Sequence, residues 1–186
     1  WGQYLIKNTD RAIQHCISSP IQRCVDTAAL MIEGADVVHK LVNTHTIEIV
    51  EQRLLVEPGS FVLDIQQAAP YFRKQGALGF INSFVNNALP GMKHPITGVF
   101  DVLELLYHTH PTHQHGLSLA VSHDTILAAI IAVISGKNQI EQADWPDMME
   151  GLFMWFEGED FANSKLKWIW RGQREELLIK HFHDPS

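Results

Sequence analysis

The sequence predicts an α/β fold, a three-layer α/β/α sandwich with a mainly parallel central sheet. Short apolar runs alternate with segments of helical period, the pattern that wraps helices around a sheet. The run Leu117-Ser118-Leu119-Ala120-Val121 is apolar nearly throughout, as a parallel strand covered on both faces requires. Two apolar runs lead directly into a cation-capable side chain and a helix: Ser18-Ser19-Pro20-Ile21-Gln22-Arg23 and Val121-Ser122-His123-Asp124. Open α/β sheets gather ligand-binding groups there, because strand carboxyl ends and helix N-termini converge.

Taken in order, residues 1–9 read as the tail of a helix and Ala12–Ile17 as a short buried strand. Ser18–Pro20 makes the turn, with Pro20 at the first helical position, where a missing N–H costs nothing. Ile21, Val25, Ala28, Ala29 and Ile32 recur at helical spacing, and Gly34 reads as the stop. Thr46–Val56 alternates as a strand does, and Pro58-Gly59 ends it. The stretch 58–98 reads as long and irregular, rich in Gly, Pro and Asn yet carrying Phe61, Tyr71, Phe72, Phe80 and Phe84. Such a stretch in a compact domain implies short helices and a lid or substrate-specificity insertion. Val99–Tyr107 follows as a helix, Gly116–Val121 as a buried central strand and Thr125–Ile134 as an apolar helix closed by Gly136. Lys165–Arg171 and Glu175–Lys180 pair as a hairpin around Gly172-Gln173. No repeat or composition shift interrupts residues 1–186, which read as one domain.

Composition narrows the function. With 186 residues, 46% of them apolar, and a mean hydropathy of −0.05, the chain has a globular rather than a disordered composition. A formal charge of −7 and a pI near 5.8 oppose non-specific nucleic-acid binding, which needs a basic face. No apolar run reaches the ~20 residues of a membrane-spanning helix. The two cysteines, Cys16 and Cys24, bracket the turn with side chains directed apart, and read as buried thiols of a reducing, cytoplasmic compartment. A homodimer is compatible with all of this.

Arg23, about one turn into its helix, offers a planar, permanently charged fork that matches two phosphate oxygens. His123 emerges at the end of its strand, where a protonated imidazole can donate to a phosphoryl oxygen. Asp124 has two readings, helix N-cap or acid. Glu57, in Leu55-Val56-Glu57-Pro58-Gly59, is the competing acid. Ser18 and Ser19 read as turn and cap residues, since no G-x-S-x-G elbow surrounds them. His108, His110, His113 and His115 read as a connecting loop rather than a metal site, because no Cys or acidic residue accompanies them. Trp145, Met148, Met149, Phe153, Met154, Trp155 and Phe156 read as core packing.

The S-S-P-x-x-R-x-x-x-T-A wording of Ser18–Ala28, with Val121-Ser122-His123, resembles the histidine phosphatase superfamily, whose members are phosphoglycerate mutase-like. The likeness runs from about residue 12 to 135. It implies a phosphoglycerate mutase-like sandwich acting on a small phosphorylated substrate through a phosphohistidine, with inorganic phosphate as product and no metal or cofactor. It also implies phosphate contacts from Arg23 and His123. Glu57 matches the acid of the mutase-like branch, and His123-Asp124 the pair of the acid-phosphatase branch; Glu57 is favoured. The family's nucleophile, in an Arg-His-Gly triplet, does not occur in the sequence and is expected upstream of Trp1. Arg73, Lys74, Lys93 and His94 are few as cap cations, which favours a phosphatase over a mutase. A catalytically inactive phospho-ligand-binding domain is the alternative.

Overall fold

The computed structural model describes residues 2–9, 11–39, 47–57, 59–111 and 115–182. The chain forms two compact units, Trp1–Gly59 with His108–His123, and Ser60–Tyr107 with Asp124–Ser186. It is a mixed α/β protein whose parallel sheet carries helices and whose second sheet is antiparallel.

The first unit holds helix α1 (Gly2–Asn8), strand β1 (Ala12–Ser18), helix α2 (Gln22–His39), strand β2 (Ile49–Glu51) and strand β3 (Gly116–Val121). The sheet order is β2-β1-β3, and both pairings are parallel. The central strand is therefore β1, in which Cys16, Ile17 and Ser18 are all buried. At the edge of the described strands lies β3, mostly half-buried with Ala120 exposed. An apolar run marks a strand as buried without saying which neighbours it has, so the expected central position of 117–121 passes to β1.

An irregularity between Ile13 and His15 shifts the register of β1 against β3. Beyond it Cys16 packs against Ala28 and Ile32 of α2, with Ile47, Ile49, Leu119 and Val121 closing the cluster. Gly34 does not stop α2, which runs on to His39. A Cβ on Gly2 would lie 1.9 Å from the Met31 carbonyl oxygen, so α1 meets α2 where only glycine fits.

The expected strand at 46–56 is shorter. Thr46 lies outside the described residues, and after Glu51 the chain tightens into a 3-10 turn over Arg53–Leu55 that buries Leu55. Adjacent apolar residues, Leu54-Leu55, suit that turn better than a strand of period 2.

The second unit opens with helix α3 (Ile65–Val85), so most of the stretch that reads as irregular is helical. The Asp64 carboxylate accepts the N–H groups of Gln66 and Gln67, an N-cap. Pro70 lies inside the helix and Gly76, at φ +67°, breaks it, which is why helical period is hard to see across it. Phe61, Phe80 and Phe84 are fully buried, with Phe61 stacked on Phe84 at 4.6 Å.

Helix α4 (Pro95–His108) and helix α5 (Asp124–Ile134) follow. Strands β4 (Phe153–Glu157), β5 (Lys165–Trp170) and β6 (Gln173–Leu178) form an antiparallel sheet in that order. The hairpin turns on Arg171-Gly172, one residue earlier than expected, both at positive φ (48° and 79°), as a two-residue turn with strand-matching twist requires.

The aromatic and methionine stretch is not core. Met148 is 95% exposed and Phe153, on the edge strand β4, is half exposed. Among the described residues no helix is long and apolar enough to cross a membrane.

Candidate functional site

Three loops leave the carboxyl ends of the parallel strands of the first unit. From β1 comes Ser19 and, in the first turn of α2, Arg23; from β2, through the 3-10 turn, comes Glu57; from β3 come Ser122 and His123. The chain passes from β1 to β2 on one side and later to β3 on the other, so the strand order reverses at β1. A reversal of this kind leaves a crevice at the strand ends.

Backbone and hydroxyl bonds hold the three ends in register. The Ser19 N–H donates to the Val121 carbonyl at 2.8 Å, and the Gln52 N–H to Ser18 at 2.7 Å. The Ser122 hydroxyl donates to the Leu55 carbonyl at 2.8 Å, which ties the end of β3 to the turn carrying Glu57.

His123 is the hub. Its side chain is 2% exposed, and both ring nitrogens are engaged. Arg23 Nη2 lies 2.8 Å from Nδ1, and Ser19 Oγ lies 3.0 Å from Nε2. A guanidinium has no acceptor, so Nδ1 accepts and the ring proton sits on Nε2, donating to Ser19. The Glu57 carboxylate stands 3.7 Å from both Arg23 Nη2 and His123 Nδ1. The arrangement is a cation, a switchable imidazole and a carboxylate within reach of one another, with Arg23 reaching outward at 69% side-chain exposure.

Cys24 Sγ lies 3.8 Å from His123 Nε2, and its thiol donates to the Ser122 carbonyl at 3.5 Å. Burial pushes the Cys24 thiol up, against the lowering influence of the Arg23 charge and the Ser19 hydrogen bond. Cys16, deeper, is pushed up to about 11 by burial. Both cysteines are free and buried. They remain protonated at neutral pH and are poor nucleophiles.

Arg23, His123 and Glu57 therefore come together. Asp124 has other commitments: one carboxylate oxygen accepts the Thr125 N–H and the other the Trp145 indole N–H, each at 2.9 Å. Of the suggested cap cations, Lys93 is held by Asp101 at 2.5 Å. His113 lies outside the described residues, and among those described no group of three or more His, Cys, Asp or Glu could hold a metal ion.

Sequence reasoning missed Ser19 as a partner of His123. The available signal was its place as the last residue before Pro20 at a buried strand end, which suits a hydroxyl aimed along the sheet edge as well as one capping a helix.

No protein-family model and no curated protein matches the sequence. What stands is a mixed α/β fold with a clustered histidine, arginine and serine. That cluster is consistent with a phosphatase-like architecture.

Proposed function

We propose that this chain belongs to a phosphomonoester hydrolase of the histidine phosphatase type, with a phosphoglycerate mutase-like three-layer sandwich. The observation that supports it most is the convergence of Arg23, His123 and Glu57 at the carboxyl ends of three parallel strands.

In this reading a small phosphorylated substrate places its phosphoryl oxygens on Arg23 and on a protonated His123. Preorganised cations aimed at the transferring group stabilise the charge that develops there, without reorganisation at the moment of reaction. A histidine nucleophile attacks phosphorus, the ester P–O bond breaks with its electron pair on the leaving oxygen, and Glu57 gives that oxygen a proton. Glu57, now a carboxylate, takes a proton from water as the water attacks the phosphohistidine, which releases inorganic phosphate. The nucleophile is not among the clustered residues, and the 186 residues hold no Arg-His-Gly triplet. A further parallel strand on the outer edge of β3 would bring such a histidine beside His123.

The second reading, a phospho-ligand-binding domain without catalysis, has its own support. The hydroxyl and thiol nearest His123 are buried, and with Arg23 donating to Nδ1 the Ser19 hydroxyl accepts a hydrogen bond from Nε2–H instead of donating to an imidazole base.

One experiment separates the two. Hydrolysis of para-nitrophenyl phosphate in the presence of chelator, with an acid-labile, base-stable phosphoenzyme trapped by rapid quench, is the outcome expected of the enzyme. Phosphate binding with no turnover and no phosphoenzyme assigns the chain to the binding domain.

A further inference from the structure

We infer that anion binding at this site is proton-coupled: Arg23, which can only donate, holds the resting His123 with Nδ1 as acceptor, and Ser19 is the positioning residue that accepts from the Nε2–H. The inference rests on the reading of the cluster as an oxyanion site and adds to it how the site is set before a ligand arrives.

Ser19 is fully buried, and its hydroxyl oxygen meets His123 Nε2 at 3.0 Å but the Ile21 N–H only at 3.4 Å. It is therefore better placed as the imidazole's acceptor than as a helix cap. Free imidazole takes either neutral tautomer, and the partner of one nitrogen decides what the other can do. Arg23 can only donate, so at 2.8 Å from Nδ1 it makes that nitrogen the one with the lone pair and leaves the proton on Nε2, where Ser19 accepts it in a hydrogen bond.

An oxyanion cannot accept from a lone pair. To use both groups it must take Arg23 away from Nδ1 and have a proton delivered there, so one anion arrives with up to one proton. Among the described residues, the charged or titratable groups facing the ring include Arg23 and Cys24 from α2 and Glu57 from the turn after β2. Burial keeps the Cys24 thiol protonated. Glu57, 3.7 Å from Nδ1, favours the charged ring once Arg23 has turned to the anion. Ser19 carries no charge and acts only by accepting from Nε2–H, more strongly when the ring is charged.

The test uses sulfate, a dianion that does not itself titrate near neutrality. Ligand-free wild type should show His123 as the Nε2–H tautomer in long-range proton–nitrogen NMR. Calorimetry in two buffers of different ionisation enthalpy should show proton uptake approaching one per sulfate above about pH 7, near the range where histidines titrate. Affinity should then fall by up to about tenfold per pH unit, the limit for one linked proton.

Ser19→Ala should keep the Nε2–H tautomer, which Arg23 imposes. Losing the acceptor of Nε2–H disfavours the charged ring most, so sulfate affinity should fall and its decline with pH should begin at lower pH than in wild type. Ser18→Ala is the control for burial: its hydroxyl is equally buried but donates to the Ser19 carbonyl at 2.9 Å, so tautomer and linkage should stay as in wild type. An Nδ1–H ring in ligand-free wild type, sulfate binding without proton uptake, or identical behaviour of the two variants overturns the inference and leaves the anion site standing. Absence of sulfate binding down to about pH 5.5, where free histidine is protonated, overturns both.

Discussion

Arg23→Ala is the most direct perturbation of the site, because Arg23 supplies its permanent charge yet contributes little to the core. The side chain is 69% exposed, and its backbone carbonyl accepts from Thr27 Oγ1 at 2.7 Å whatever side chain is present. The variant should melt within about 0.5 kcal/mol of wild type, as surface substitutions do. Its effect on anion binding is larger. A hydrogen bond to a charged group contributes about 1.5–3 kcal/mol, and the exposure of Arg23 puts this one at the low end. About 1.5 kcal/mol corresponds to a loss of roughly tenfold in affinity. Arg23→Lys keeps the charge but not the planar fork, and should lose about threefold. The assay is calorimetric titration with sulfate at fixed pH, with ionic strength held constant by chloride. Raising the salt should narrow the gap between wild type and Arg23→Ala, because an exposed charge is screened over about 10 Å at 0.1 M. Equal sulfate affinity in wild type and Arg23→Ala would exclude Arg23 as a ligand of the anion.

Glu57→Gln should depress turnover of alkyl phosphates by about 10²-fold or more while sparing aryl phosphates, whose leaving groups need little protonation; the same pattern in Asp124→Asn instead would move the role to Asp124. In the second unit, Arg171 holds the loop before β4: it donates to the carbonyls of Ala143 and Trp145 and, through two nitrogens at 2.7 and 2.8 Å, to Glu150. Arg171→Ala should cost about 1–2 kcal/mol, discounted for exposure, and speed amide exchange across residues 143–150. The Arg171 hydrogen bond holds the Glu150 carboxyl below its ordinary value of 4.5. A depressed folded value means that this stabilisation is complete above 4.5 and fades as pH falls through the folded value. The gap in stability between wild type and Arg171→Ala should therefore narrow in acid, to the share held by the two carbonyl bonds, and a gap that stays constant to low pH would count against the ion pair.

The site was legible in the sequence where it depended on local order. Pro20 bars the strand from continuing past Ser18, although α2 opens at Gln22 rather than at Pro20 itself, which still places Arg23 in the first turn, and an apolar strand followed by a helix must release His123 at a sheet edge. Glu57 was singled out by the family resemblance, and it is carried by the 3-10 turn after β2, which ends at Glu51, rather than by a strand end. The helix Asp124–Ile134 and the 165–178 hairpin were set by apolar period and by a glycine that permits positive φ. Tertiary structure decided the rest. Whether Arg23 and His123, 100 residues apart, share a crevice depends on β3 pairing with β1, and nothing in either segment names its neighbour. The same pairing put β1 rather than β3 at the centre. The partners of Asp124 and Ser19 were likewise beyond the sequence. A carboxylate or hydroxyl bonds whatever donor or acceptor the fold brings within 3 Å: for Asp124 that is the indole of Trp145, and for Ser19 it is the imidazole of His123.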